Sequence, residues 1–319
     1  MNSISKLRTR GFTLVELLVV VLILGILFAI SASAMANLEA NSRVERTKTI
    51  IARLDQLIME KYEGYKTRAI PLRIPPGVTA EDAARIRLYA IRELMRMELP
   101  DRPTDLADGP QNIPVSVPGG PLKVPMPAAW KAMNRKMPSG WTSATAQSHA
   151  GAECLYAIVS TIRVGDARAI DFLSAREIGD ADGDGALEIW DAWGNPIQFL
   201  RWAPGFTQEN NALTMQTKDS KVAPDPFDPL KVDPRLRDSD TTNDTFALKP
   251  LIFSGGRDRK FDIDIRGNVS YATGGMYAPS DPFFLDSSDP VYVGTPKDSD
   301  GDGYSSYADN ITNHYFEVR

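Results

Sequence analysis

The sequence is poor in the side chains that most often build catalytic and redox sites. Its 319 residues include one cysteine, Cys154, so an internal disulfide bond is excluded. Only two histidines occur, His149 and His314, which is few for a histidine-rich zinc site or for a hydrolase centre based on histidine. The sequence also contains no Ser/His/Asp, Cys/His or phosphate-binding-loop pattern. We therefore predict that the protein is not an enzyme.

The chain also lacks excess positive charge. Its formal net charge is -5, and 24% of its residues are charged. Because nucleic-acid binding depends on basic surfaces, this balance predicts no nucleic-acid partner. The hydrophobic content of 43% is that of a folded globular protein.

Charge is almost absent near the N-terminus. Residues 1–11 are basic and contain no acid, and Glu16 is the only charged residue between positions 12 and 38. A run of about 20 apolar residues crosses the hydrocarbon core of a bilayer as a helix. The basic end should stay in the cytoplasm. We therefore predict a single-pass protein of the inner (cytoplasmic) membrane. The part of the chain that follows the apolar run should lie in the periplasm or outside the cell.

One alternative is a secretory signal peptide that is cleaved after Ala34. Ala32 and Ala34 satisfy the small-x-small rule of such cleavage sites. Apolar cores of signal peptides usually span about 7–15 residues, however, and this apolar run is longer. The length of the run and the carboxylate near its start favour a retained helix.

The segment Gly11-Phe12-Thr13-Leu14-Val15-Glu16 resembles the leader junction of type IV prepilins and type II secretion pseudopilins. In those families prepilin peptidase cleaves after the glycine and methylates the new phenylalanine amine. The resemblance implies processing between Gly11 and Phe12 and an assembly role for Glu16. The alternative for Glu16 is a carboxylate that reaches the membrane interface. The resemblance also implies three kinds of partner. They are prepilin peptidase, further copies of this chain with other pilins or pseudopilins in a filament, and an inner-membrane assembly platform.

The order of helix and strand patterns along the whole sequence predicts an α+β fold. We expect a cleaved leader at 1–11, a transmembrane and assembly helix at 12–36, its amphipathic continuation at 37–64, and a globular head at 65–319 with a small antiparallel β-sheet. Thr47, Ile51, Leu54 and Ile58 mark the buried face of the continuation. Further helices are predicted at 80–98 and 145–162. A β-hairpin is predicted from 187–190 and 197–202, followed by strands at 251–253 and 261–265.

Two acidic loops have the residue spacing of an EF-hand calcium loop, in which alternate carboxylates converge on one hard cation. The first loop offers as ligands Asp180, Asp182, Asp184, the Ala186 carbonyl, Glu188 and Asp191. The second loop offers Asp298, Asp300, Asp302, the Tyr304 carbonyl and Asp309. Each loop ends in Asp rather than the longer Glu, so bidentate closure is weaker. The alternative is a solvated acidic turn; we predict calcium as the cofactor.

Two C-terminal segments resemble the type II secretion major pseudopilin. Residues 191–196 read Asp-Ala-Trp-Gly-Asn-Pro, which is similar to a signature of that family. Residues 254–258 are similar to its calcium-binding loop. The resemblance implies Asp258 and Asp262 as ligands, with Asp264 as a further candidate. Neither segment accounts for the large middle part of the chain.

The sequence therefore predicts a structural subunit of a type IV pilus or of a type II secretion pseudopilus. Two alternatives remain open. One is a minor pilin at the filament tip. The other is a membrane-anchored extracytoplasmic binding module, adhesin-like, that uses the leader only for export.

Overall fold

A computed structural model describes most of the chain. The described residues are 14–138, 141, 149–209, 214, 216–265, 280–284, 291–298 and 309–314. Five of the residues that we predict to be functional lie outside them, namely Gly11, Phe12, Asp300, Asp302 and Tyr304. The contacts divide the chain into two compact units, one up to Glu45 and one from Arg46 onward.

Helix α1 spans Leu14–Gly64, and its apolar part belongs to the first unit. Every large apolar side chain from Leu14 to Leu38 is at least 44% exposed, which suits contact with lipid. The helix is long and apolar enough to cross a membrane. Two hydroxyl groups in this part, on Ser31 and Ser33, donate hydrogen bonds to backbone carbonyls of the preceding turn. These polar groups are thus satisfied within the helix, as a hydrocarbon environment requires.

The remainder of α1 packs into the core of the second unit. Its buried face comprises Thr47, Ile50, Ile51, Leu54, Ile58 and Tyr62. The amphipathic stripe that the sequence predicts from Thr47 onward is therefore confirmed. The Tyr62 hydroxyl donates a hydrogen bond of 2.9 Å to the Leu248 carbonyl, which holds a distant loop against this face.

Helix α2 spans Ala80–Glu98, the limits predicted from the sequence. The Thr79 hydroxyl caps it by accepting a hydrogen bond from the Asp82 amide, because the first amides of a helix have no partner inside the helix. At the other end the Glu98 carboxylate accepts hydrogen bonds from Tyr65 and Arg68, which join α2 to the segment that follows α1. Two short helices follow, α3 at Pro103–Ala107 and α4 at Ala128–Asn134.

Buried arginines are paired with buried carboxylates throughout the second unit. Arg92 of α2 contacts Asp233 at 2.7 Å and Asp225 at 3.0 Å. Arg201, which is fully buried, contacts Asp105 at 2.9 Å. A buried charge costs several kcal/mol unless it is paired, so each of these positions requires its partner. The pairs with Arg92 fix part of the polar segment that precedes the last strands.

Three small antiparallel sheets lie in the described part of the chain, which confirms the α+β prediction. Helix α5 at Ala150–Thr161 precedes them. The strands are β1 Arg163–Val164 with β2 Ala167–Arg168; β3 Ile178–Gly179 with β4 Glu188–Ile189; and β5 Gln198–Leu200, β6 Leu251–Ser254 and β7 Ile311–Thr312 in the order β5-β6-β7.

The hairpin predicted from 187–190 and 197–202 forms only in part. Strand β4 pairs with β3 and strand β5 pairs with β6, so the two segments belong to different sheets. Between them an isolated antiparallel bridge joins Trp190 and Pro196, and the Ile197 amide donates a hydrogen bond of 2.8 Å to the Ile189 carbonyl. The strand predicted at 261–265 is likewise reduced, in the described residues, to a bridge between Ile263 and Pro296.

Helix α5 lies directly on the backbone of β5. A Cβ atom added to Gly151 would come within 2.7 Å of the Phe199 carbonyl oxygen and 2.9 Å of the Gln198 Oε1 atom. Both distances are shorter than a van der Waals contact. The absence of a side chain at Gly151 therefore allows this close approach, which positions the rest of α5.

We expect Gly151→Ala to lower the free energy of unfolding by about 1–3 kcal/mol, because α5 must move away from β5. The measurement is thermal unfolding of the full chain in detergent, followed by circular dichroism. The matched control is Gly64→Ala, since nothing lies within 4 Å of the added Cβ at Gly64. Equal melting temperatures for both variants would contradict the close packing of α5 on β5.

Candidate metal centre

The first acidic loop connects β3 to β4. In this pair Ile178 lies opposite Ile189, and Gly179 lies opposite Glu188. A side chain at position 179 would collide with the ring of Trp190, so the glycine leaves room for that indole. The strand pair therefore fixes both ends of the loop, and it holds Glu188 in a buried position at the loop's exit.

Hydrogen bonds to its own backbone shape the loop. The Asp180 carboxylate accepts hydrogen bonds from the amides of Gly183 at 2.6 Å and Gly185 at 3.0 Å. Both glycines have positive φ angles, 79° and 92°, which other residues rarely adopt. The Asp184 carboxylate accepts a hydrogen bond from the Ala186 amide. These bonds curl the loop so that its alternate aspartates face a common region.

The structure brings four of the predicted ligands together and adds one that we did not predict. Oxygens of Asp180, Asp182 and Glu188 lie within 4.8 Å of one another. Oxygens of Glu153, Asp182 and Asp184 do the same. The two groups share Asp182, so they form one cluster, which we call the acidic cluster. Glu153 reaches it from helix α5, outside the loop.

Buried carboxylate oxygens point to a missing positive partner in this cluster. Glu153 and Glu188 are both 0% exposed. One oxygen of each makes a hydrogen bond: Glu153 Oε2 accepts from the Trp141 indole, and Glu188 Oε2 accepts from the Ala181 amide at 3.0 Å. Within the described residues, the other oxygens, Glu153 Oε1 and Glu188 Oε1, are buried without a hydrogen-bond partner. Leaving such groups unsatisfied is costly.

Burial and mutual repulsion disfavour ionisation of the two glutamates. Burial raises the pKa of Glu153 to about 8; the Trp141 hydrogen bond opposes this shift, while Asp184 and Asp182 add to it. Burial likewise raises the pKa of Glu188 to about 7, against the hydrogen bond from the Ala181 amide. A divalent cation would reverse this balance, because it attracts every carboxylate of the acidic cluster.

The donor set of the acidic cluster fits a hard cation. All side-chain donors in it are carboxylate oxygens, which calcium prefers, and no histidine or cysteine is among them. Calcium takes about 6–8 oxygen ligands at about 2.3–2.6 Å, so carboxylates that already lie within 4.8 Å of one another suit it. Groups able to bind a metal are thus present in the protein.

The structure places Asp191, the last ligand predicted in the first loop, in a different role. Asp191 belongs to neither carboxylate group. Its oxygens accept hydrogen bonds from the amides of Trp193 and Asn195 and, at 2.6 Å, from the Ser254 hydroxyl. Asp191 therefore stabilises the turn after β4 and ties that turn to β6. Glu188, rather than Asp191, brings the carboxylate at the end of the loop into the cluster.

The other predicted calcium residues are only partly described. Asp258 accepts a hydrogen bond from the Lys260 amide, and Asp262 has a left-handed backbone with φ of 45°. Asp264 is fixed through its backbone to Thr295. Burial, followed by the charge of Asp258, raises the pKa of Asp309, so these two acidic segments approach each other.

No three carboxylates of these segments, Asp298 included, form a potential metal group among the described residues. Calcium binding by them stays a prediction.

Sequence reasoning missed Glu153, although a signal was present. Helix α5 reads Ala-Gly-Ala-Glu-Cys-Leu-Tyr-Ala-Ile-Val-Ser-Thr, in which Glu153 is the only charged residue. A single acid in an otherwise apolar and buried helix requires a partner. The identity of that partner depends on the tertiary packing of α5 against β4, which residue spacing does not reveal.

Comparison with known proteins identifies the N-terminal segment. A family model described as the prokaryotic N-terminal methylation motif matches residues 6–32. The match includes Gly11, Phe12 and Glu16. No curated protein and no solved structure gives a match to the chain. The motif supports a type IV prepilin-like or pseudopilin-like protein, and it confirms the prediction made from the leader junction.

The acidic cluster predicts opposite effects of one double substitution in two conditions. With a chelator, Asp182→Asn and Asp184→Asn together should raise the melting temperature, because they remove repulsion from the buried glutamates. With excess calcium the same variant should melt below the parent. Saturation at about a hundredfold excess over Kd stabilises a native protein by about 2.7 kcal/mol, which corresponds to several degrees.

Thermal unfolding of the full chain in detergent, with and without calcium, checks this reversal. The pair Asp238→Asn and Asp240→Asn is the control, because this exposed loop also has aspartates bonded to its own backbone. A parent melting temperature that is the same with calcium and with chelator would contradict calcium binding by the acidic cluster.

Proposed function

We propose that the protein is a structural subunit of a type IV pilus or a type II secretion pseudopilus. The observation that carries the proposal is the methylation motif at residues 6–32, which precedes and overlaps an exposed apolar helix. The motif indicates processing by prepilin peptidase and points to a structural protein rather than an enzyme. In this proposal residues 1–11 are the cleaved leader, 12–36 assemble the filament, and 37–64 join them to the head at 65–319.

The carboxylate of Glu16 would act in assembly. Glu16 is the only charged residue between positions 12 and 38. A charge inside the apolar part of a membrane helix costs about 2–4 kcal/mol or more without a favourable partner. In our proposal the mature N-terminal amine of a neighbouring subunit pairs with the Glu16 carboxylate. This pairing stabilises the assembled filament relative to the membrane-bound monomer.

We propose calcium as the ion of the head. The acidic cluster supports this choice, because its donors are oxygens, and three of them, on Glu153, Asp184 and Glu188, are buried without a hydrogen-bond partner among the described residues. Magnesium fits less well, because it demands a tight octahedral shell and dehydrates reluctantly. In this proposal calcium stabilises the head both in the membrane-bound subunit and in the assembled filament.

A second candidate function is a membrane-anchored binding module, including a minor pilin at the filament tip. The observation that favours it is a cleft of about 460 Å³ in the second unit. The cleft lies between α1 and the segment around β1, β2 and the following turn. Its apolar lining includes Leu54, Leu57, Val164, Phe172 and Leu173. Phe172 and Val164, which are 56% and 45% exposed, both belong to this lining, and a contiguous apolar surface of this kind suits a binding partner.

The first test concerns the N-terminus of the mature protein. We expect it to begin at Phe12 with a methylated amine, because the junction between Gly11 and Phe12 follows a basic leader. Mass spectrometry of the membrane-extracted protein measures both properties. A mature protein that begins at Met35 would instead identify a secretory signal peptide.

The second test concerns Glu16. We expect Glu16→Ala to be processed and inserted into the membrane normally but to be depleted from sheared filaments, because the intersubunit pairing is lost. Glu39→Ala is the matched control, since Glu39 lies on the same helix and is paired with Arg43 in an exposed position. Quantitative immunoblots of sheared filaments and of membranes measure the partition. Normal incorporation of the Glu16 variant would show that its carboxylate only reaches the membrane interface.

A further inference from the structure

We propose that Glu153 of helix α5 is a ligand of the cation held by the loop between β3 and β4, so that the bound ion links this loop to the core helix of the head. The inference rests on the calcium binding proposed above. It goes beyond it by assigning a ligand that lies outside the loop.

The position of Glu153 supports this assignment. Its carboxylate oxygen lies within 4.8 Å of oxygens of both Asp182 and Asp184, although the side chain is 0% exposed. The Trp141 indole donates a hydrogen bond to Oε2, which fixes the carboxylate and leaves Oε1 buried without a partner in the described residues. Oε1 is therefore oriented and available for a ligand.

The charges around Glu153 favour a cation over an arginine or lysine side chain. Several buried carboxylates elsewhere in the unit are paired with arginines, as Asp233 is with Arg92 and Asp105 is with Arg201. No ion pair joins a basic side chain to any carboxylate of the acidic cluster within the described residues. A bound divalent ion would supply the neutralisation that arginines supply in the other buried sites.

The neighbourhood of the cluster explains how the ion would act on the fold. Helix α5 is held against β5 by the close approach at Gly151, so Glu153 is attached to a rigid element. The loop touches the turn that carries the indole: a Cβ on Gly185 would lie 3.4 Å from Pro138, whose carbonyl accepts a hydrogen bond from the Trp141 amide. An ion bound by Glu153 and Asp182 would therefore connect α5 with an otherwise exposed loop.

The competing explanation is that Glu153 remains a neutral buried acid, while the loop binds calcium through its own aspartates. The variant Glu153→Gln separates the two explanations. Gln keeps the size of the side chain and an amide oxygen that can accept the hydrogen bond from Trp141. It removes the negative charge that a calcium ligand needs.

The experiment is a titration of the full chain in detergent with calcium chloride by isothermal calorimetry. We expect Glu153→Gln to weaken calcium binding by at least about tenfold, as loss of one charged ligand from an oxygen site predicts. With chelator the variant should melt no lower than the parent, because Gln replaces a largely neutral acid of the same size and can still accept the hydrogen bond from Trp141. This second readout shows that weaker binding does not arise from misfolding.

Two further variants make the result unambiguous. Asp182→Asn, in the residue shared by both carboxylate groups, should weaken binding strongly, and the distant Asp240→Asn should not change it. If the parent and Asp182→Asn bind alike or not at all, the proposed calcium binding of this loop fails. If Asp182→Asn weakens binding but Glu153→Gln matches the parent, Glu153 is not a ligand and this inference alone is overturned.

Discussion

A carboxylate that leaves water must find positive charge or hydrogen-bond donors, and this constraint organises both units of the protein. In the first unit it concerns Glu16, which lies within a run of apolar residues that can cross a membrane. In the second unit it concerns Glu153 and Glu188, whose side chains are fully buried. We propose that a neighbouring subunit brings positive charge to Glu16 in the filament, and that a cation brings it to the acidic cluster.

The rest of the second unit shows the same constraint met internally. Arg92 and Arg201 are buried as deeply as Glu153, and each contacts two carboxylates at 3.3 Å or less. These pairs attach α2 and the residue that follows β5 to segments far away in the sequence. They are permanent, whereas a bound ion can leave. With the calcium binding that we propose, the acidic cluster is the part of the second unit whose stability should respond to the concentration of that ion around the protein.

Much of the architecture follows from local sequence, and its failures have a common cause. The limits of α2 are encoded by Thr79 and the apolar period of the helix, and the convergence of the loop aspartates is encoded by Gly183 and Gly185. The pairing of β4 with β3 is not encoded locally, because tertiary packing determines which partner such short strands take. The same applies to Glu153, which meets the loop only because α5 packs beside β4. Charge spacing predicted the four carboxylates that the loop brings to the acidic cluster, while Glu153, which comes from outside the loop, required the fold.

The central claim is that this chain is built into a filament through its N-terminal helix. Immunogold electron microscopy with antibodies against the head, applied to cells and to filaments sheared from them, tests it most directly. The account predicts label along the length of filaments and loss of those labelled filaments when the gene is deleted. Label spread over the whole cell envelope, with no labelled filament in cells that process the protein normally, would contradict it.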